Sequence, residues 1–115
     1  MARYLISFDE GAMTFPEEEL TDVAEAAHAV VQQAMDAGVW VFGGGLDSPE
    51  ELSVVGTDGT VIDGPYPESK AYIGGFSVIE VPSREEALEW AAKIAGACRC
   101  AQDVREFLPD PAVGN

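Results

Sequence analysis

Residues Val61–Phe76 read VIDGPYPESKAYIGGF, and the fold turns on how this stretch joins the segments on either side of it. Val61 and Ile62 begin an extended segment that returns from TDGT (57–60), where an Asp-Gly pair suits the positive φ angles of a tight hairpin turn. Pro65 and Pro67 then interrupt that segment, because proline has no N–H to donate to a strand ladder. Regular structure resumes in YIGGFSVIEV (Tyr72–Val81), a strand pattern with Gly74 and Gly75 inside it. So many turn signals exceed what a simple hairpin requires. The stretch is either a structural corner or the edge of a site, and it separates two strand-rich halves.

Upstream, RYLISF (Arg3–Phe8) alternates as a strand, and Gly11 and Pro16 break it. From Pro16 to Ala37 the apolar residues Leu20, Val23, Ala27, Val30, Val31 and Ala34 recur at three and four, which predicts a helix capped by Gly38. VWVFGGGL from Val39 is a second strand ending in glycines, where backbones or a ligand approach closely. ELSVVGT (Glu51–Thr57) is a third. Downstream, Ser83 with Glu86 forms a capping box, and Ala87, Leu88, Trp90, Ala91 and Ile94 supply the stripe of a second helix. DVREFL (Asp103–Leu108) is a final strand. Two helices entering as crossovers among these strands predict one domain over residues 1–115, an α+β ferredoxin-like sandwich with both helices on one sheet face. Strands so rich in Val, Ile, Phe and Trp need a cover on the other face as well. A second copy packed sheet to sheet, a homodimer, supplies it.

Composition narrows the partners. With 21 acidic and 6 basic residues the chain carries a formal charge of −15, a field that repels nucleic-acid phosphates and anionic lipid headgroups. Solubility accounts for that charge, and a basic partner protein is the other reading. No apolar run approaches the roughly 20 residues of a membrane span. MARYLISFDE at the start is too short in its apolar part for a signal-peptide core, so the expectation is a cytoplasmic protein. Cys98 and Cys100, in CRC, are too close in sequence for an unstrained disulfide. One histidine and two cysteines do not make up a metal-ligand set, so no metal and no cofactor is expected.

Asp63, Gly64, Pro65, Glu68, Lys70, Gly74 and Gly75, at their spacing here, resemble the YCII-related family, in particular the branch named for a DGPF motif. Tyr66 and Phe76 stand as aromatic replacements and Ser69 replaces a threonine. DAGVWVFGGGL (36–46) and VPSREEALEWAAKI (81–94) are similar to that family's first-helix exit and second helix, so the resemblance spans nearly the whole chain. It implies a dimeric α/β barrel built from ferredoxin-like halves. It also implies acid–base chemistry through a His–Asp pair, and, with the ligand count against a metal, the expectation is a small-molecule-binding dimer working without one. One relative removes hydrogen chloride from a ring compound. Many DGPF genes neighbour extracytoplasmic-function sigma factors, which implies the alternative of a regulatory, protein-binding module with a sigma-factor partner.

On this chain the catalytic candidates are Asp63 and His28, the only imidazole. A carboxylate fixes the tautomer of an adjacent imidazole and steadies its protonated form, which lets the ring move a proton near neutral pH. His28 lies on the flank of the first helix's apolar stripe, facing either the sheet's rim or solvent. Counted back from Gly38, the family's histidine or tyrosine falls one residue earlier, at Ala27. Asp63 either accepts hydrogen bonds within its own Gly64-Pro65 turn or acts on a ligand. Tyr66, Lys70, Gly64 and Pro65 are the substrate-binding candidates. Tyr66 walls a pocket or joins the core; Lys70 binds an anion or pairs with Glu68.

Overall fold

A computed structural model describes residues 1–64 and 72–115 of the chain. Three of the binding candidates, Pro65, Tyr66 and Lys70, lie outside the described residues.

The order is β1 (Ala2–Asp9), α1 (Leu20–Asp36), β2 (Trp40–Gly45), β3 (Ser53–Val55), β4 (Val61–Asp63), β5 (Ile73–Val81), α2 (Arg84–Cys98) and β6 (Asp103–Glu106). β2, β5, β1 and β6 make one four-stranded sheet in that spatial order, and β3 with β4 forms a separate two-stranded ribbon. Every neighbouring pair in the large sheet is antiparallel, so β1 and β2 run the same way on either side of β5. That is a ferredoxin-like α+β arrangement with the β3–β4 hairpin inserted between its second and third strands.

The alternation of β1 decides which side is core. Tyr4 and Ile6 face the helices, with Ile79 and Val81 of β5 beside them, and these pack on Ala87, Ala91, Ile94 and Cys98 of α2. Ile6, Ile79 and Val81 are wholly buried, each contributing roughly 1.5–3 kcal/mol through removal from water. Tyr4 is buried as well, its hydroxyl donating to Glu106 Oε1 at 3.2 Å. Burial first, and the Glu106 carboxylate second, raise the phenol's pKa above its ordinary value.

The helices keep the predicted caps. Ser83 Oγ accepts from Glu86 N–H at 3.2 Å at the start of α2, and Gly38, with φ +75°, turns the chain out of α1. Their faces differ from the predicted stripes. Leu20 is 56% exposed and Leu88 43% exposed. On α2 the positions Ala87, Ala91, Ile94 and Cys98, spaced four, three and four, point inward, and Leu88 lies about 100° round from Ala87. The residues before Leu20, Glu17–Glu19, form a 3-10 turn rather than the first turn of the α-helix. In the Gly56–Thr60 turn only Gly59 takes a positive φ, +86°, while the Asp58 carboxylate accepts from Thr60 N–H at 2.9 Å. That is a type I turn closed by a left-handed glycine rather than a turn with two positive φ angles.

The opposite sheet face carries Arg3, Leu5, Phe42, Phe76, Val78 and Glu80 by register. Arg3 Nε and Glu80 Oε2 pair across strands at 2.9 Å. Ser7, Asp103 and Arg105 stand on that face too, and Leu5, Val78, Phe42 and Phe76 form an apolar band on it in which Phe42 is 64% exposed, its ring 6.0 Å from that of Phe76.

Candidate functional site

A cavity of about 450 Å³ opens between α1 and the glycine-bearing end of β2, a volume suited to a small organic molecule. α1 contributes Ala27, His28, Val31 and Met35 to its wall. His28, Val31 and Met35 are spaced three and four, so one row of the helix presents all three. Phe8, at the end of β1, and Trp40, at the start of β2, bring aromatic surface. Cys98 from the last turn of α2 and Gln102 before β6 close another side.

The lining is mainly apolar, and its polar side chains among the described residues are few: His28, Ser77, Cys98 and Gln102. Burial, and then the neighbouring Cys100, push the Cys98 thiol's pKa up, which keeps it protonated and a poor nucleophile. Burial raises the Cys100 thiol too, opposed by the hydrogen bond from Gln102. His28 supplies the imidazole of this wall. It is exposed and is one of the residues lining the cavity.

Asp63 ends β4 on the separate ribbon and is not among the residues lining this cavity. Its Oδ1 accepts from Ser53 Oγ at 2.7 Å, directly across the ribbon. Gly64 follows with φ +87°, and its N–H donates to Leu52 O at 2.7 Å. Left-handed backbone of this kind favours glycine, so Asp63-Gly64 is a corner whatever else it does. Within the described protomer, His28 lies on the cavity and Asp63 on the hairpin.

Several cavity residues carried no functional signal in the sequence. Phe8 and Trp40 fall within predicted strands, Cys98 stands out only as one thiol of CRC, and Gln102 is not singled out by any pattern. Only the pairing of strand ends with the last turn of α2 brings them to one place.

The model of the YCII-related domain family matches residues 3–104. The chain belongs to the YCII-related family. No curated protein matches it. Among solved structures it is similar to 5-chloro-2-hydroxyhydroquinone dehydrochlorinase (TftG) from Burkholderia phenoliruptrix AC1100, in complex with 2,5-dihydroxybenzoquinone. The two share 16% sequence identity, with 97% of this chain and 98% of that one covered and a TM-score of 0.53. At that identity the likeness is one of fold.

Proposed function

We propose that this YCII-related protein binds a small, flat, largely apolar molecule in the α1–β2 cavity and moves a proton on it through His28, without metal. The observation that carries the reading is the wall itself: an open apolar cleft of about 450 Å³ whose lining includes one imidazole. An apolar wall beside the base holds a flat molecule against it by contact, while the exposed ring exchanges its proton with solvent. The similarly folded TftG, captured with a one-ring quinone, supports a ring-sized ligand.

The working form is a homodimer. The apolar band of Leu5, Phe42, Phe76 and Val78 faces away from both helices, and a second sheet laid on it completes a dimeric α/β barrel. Asp63 retains two roles in this reading, one holding the hairpin through Ser53 and one acting on a bound molecule as His28's partner. Replacement of Asp63 by asparagine and by alanine separates the two.

The test uses 5-nitrobenzisoxazole, a flat neutral bicycle. When a base removes its C3 proton, the C–H electrons form the nitrile and the N–O bond breaks, giving a coloured cyanophenolate. Neutral His28 takes the proton and returns it to water. The expected result is saturable release above buffer, reduced at least tenfold in His28→Gln. Equal rates in the wild type and the variant would remove His28 from the chemistry.

A further inference from the structure

Glycine inside a strand weakens it, so each one in a strand needs a reason: a left-handed φ, a close neighbour, or a space kept clear. The strand glycines around the cavity divide between the last two. At Gly43 an added Cβ would lie 2.5 Å from Phe76 O, 2.9 Å from Ser77 Cα and 2.9 Å from the Trp40 ring. At Gly75 it would lie 2.7 Å from the ring of Phe8. These two glycines are beds on which the rings of Trp40 and Phe8 lie, and both rings line the cavity.

Gly45 has neither need. Its φ is not positive, and a Cβ there would meet nothing within 4 Å. By register it stands beside Gly75, on the same sheet face as Phe8, and it lines the cavity mouth. Backbone and packing would both accept a side chain at this exposed position, which is one of the residues lining the cavity.

We infer that Gly45 sets the size of molecule the cavity admits, its missing side chain leaving the room in which a second fused ring lies between the Phe8 and Trp40 rings. This rests on the reading of the cavity as a ligand site. Alanine at position 45 should leave the fold as stable or more stable, because it restricts the unfolded chain and touches no neighbour. A larger side chain there should narrow the site.

The experiment measures binding of phenol and of 2-naphthol to the full chain by NMR titration. The variants are Gly45→Ala, Gly45→Leu and, as a control for glycine replacement away from the cavity, Gly96→Ala in α2. Wild type should bind 2-naphthol more tightly than phenol. Gly45→Leu should lose at least tenfold in 2-naphthol affinity with phenol changed less than threefold, Gly45→Ala should lose about threefold, and Gly96→Ala should match wild type. Should Gly45→Leu fail to fold, the Gly45→Ala loss decides alone. Unchanged 2-naphthol affinity in folded Gly45 variants overturns the inference while the cavity reading stands. Binding of neither probe by wild type overturns both.

Discussion

Ser53 donates its hydroxyl to the Asp63 carboxylate at 2.7 Å across a two-stranded ribbon that stands outside the four-stranded sheet. The bond joins the residues that face each other at the open end of the β3–β4 pairing, beside the left-handed Gly64. A ribbon of two strands is marginal by itself, so such a cross-strand bond helps to fix its register.

Asparagine keeps an oxygen where Asp63 accepts, whereas alanine does not. Asp63→Asn should therefore melt in urea close to wild type, and Asp63→Ala should lose roughly 0.5–1 kcal/mol, the low end for an exposed hydrogen bond. If Asp63→Asn keeps its stability but loses turnover of 5-nitrobenzisoxazole, the carboxylate acts on the bound molecule. If turnover is also unchanged, Asp63 is a hinge of the hairpin and nothing more.

Phe42 presents the largest exposed aromatic surface of the open sheet face. In the proposed homodimer a charge there would be buried by sheet-to-sheet packing among Leu5, Phe76 and Val78. The proposed homodimer predicts that wild type sediments as a dimer and Phe42→Glu as a monomer in sedimentation velocity, with helical circular dichroism intact. A variant that sediments as wild type would place the interface elsewhere.

The thiols of Cys98 and Cys100 predict how stability depends on alkali. Both have pKa values raised in the folded chain by burial, so the folded state favours the protonated form. Their contribution is fully present below the unfolded thiol value, about 8.5, and is lost as pH rises through the folded values. The urea midpoint should accordingly fall more steeply above about pH 9 in wild type than in a Cys98→Ala, Cys100→Ala variant. Parallel profiles would show that the thiols ionise alike in both states.

At Gly43 an added methyl collides with the carbonyl of Phe76 and the Cα of Ser77, backbone atoms that cannot swing away. Gly43→Ala should cost about 1–3 kcal/mol in urea unfolding, the usual penalty for overpacking. Stability equal to wild type would mean that β2 can shift along its edge at little cost.

Residues whose periodicity is local were legible in advance. The alternation of Arg3–Phe8 became β1, and Ser83 with Glu86 marked the start of α2. Two helices on one sheet face followed from order alone. Leu20 and Leu88 misled, because hydrophobicity does not say which arc of a helix the sheet will cover, and small residues such as Ala87 and Ala91 supplied the buried arc of α2. The offset at Val41, which shifts the pairing of Trp40 and Phe42 with β5, leaves no mark in composition. The cavity was illegible for a related reason: Phe8, Trp40, Cys98 and Gln102 come from four separate segments and meet only through tertiary packing. His28 could be assigned to a helix flank, but its place at the mouth depends on where β2 ends.

The most direct test of the cavity as a ligand site is an NMR titration of the intact protein with 2-naphthol, following the methyl groups of Ala27 and Val31 and the His28 ring. Saturable shifts at these three positions, with Val55 and Val61 of the hairpin unmoved, are the predicted result. Shifts confined to the hairpin or to the open sheet face, with the α1 signals unchanged, would contradict a ligand site in the cavity.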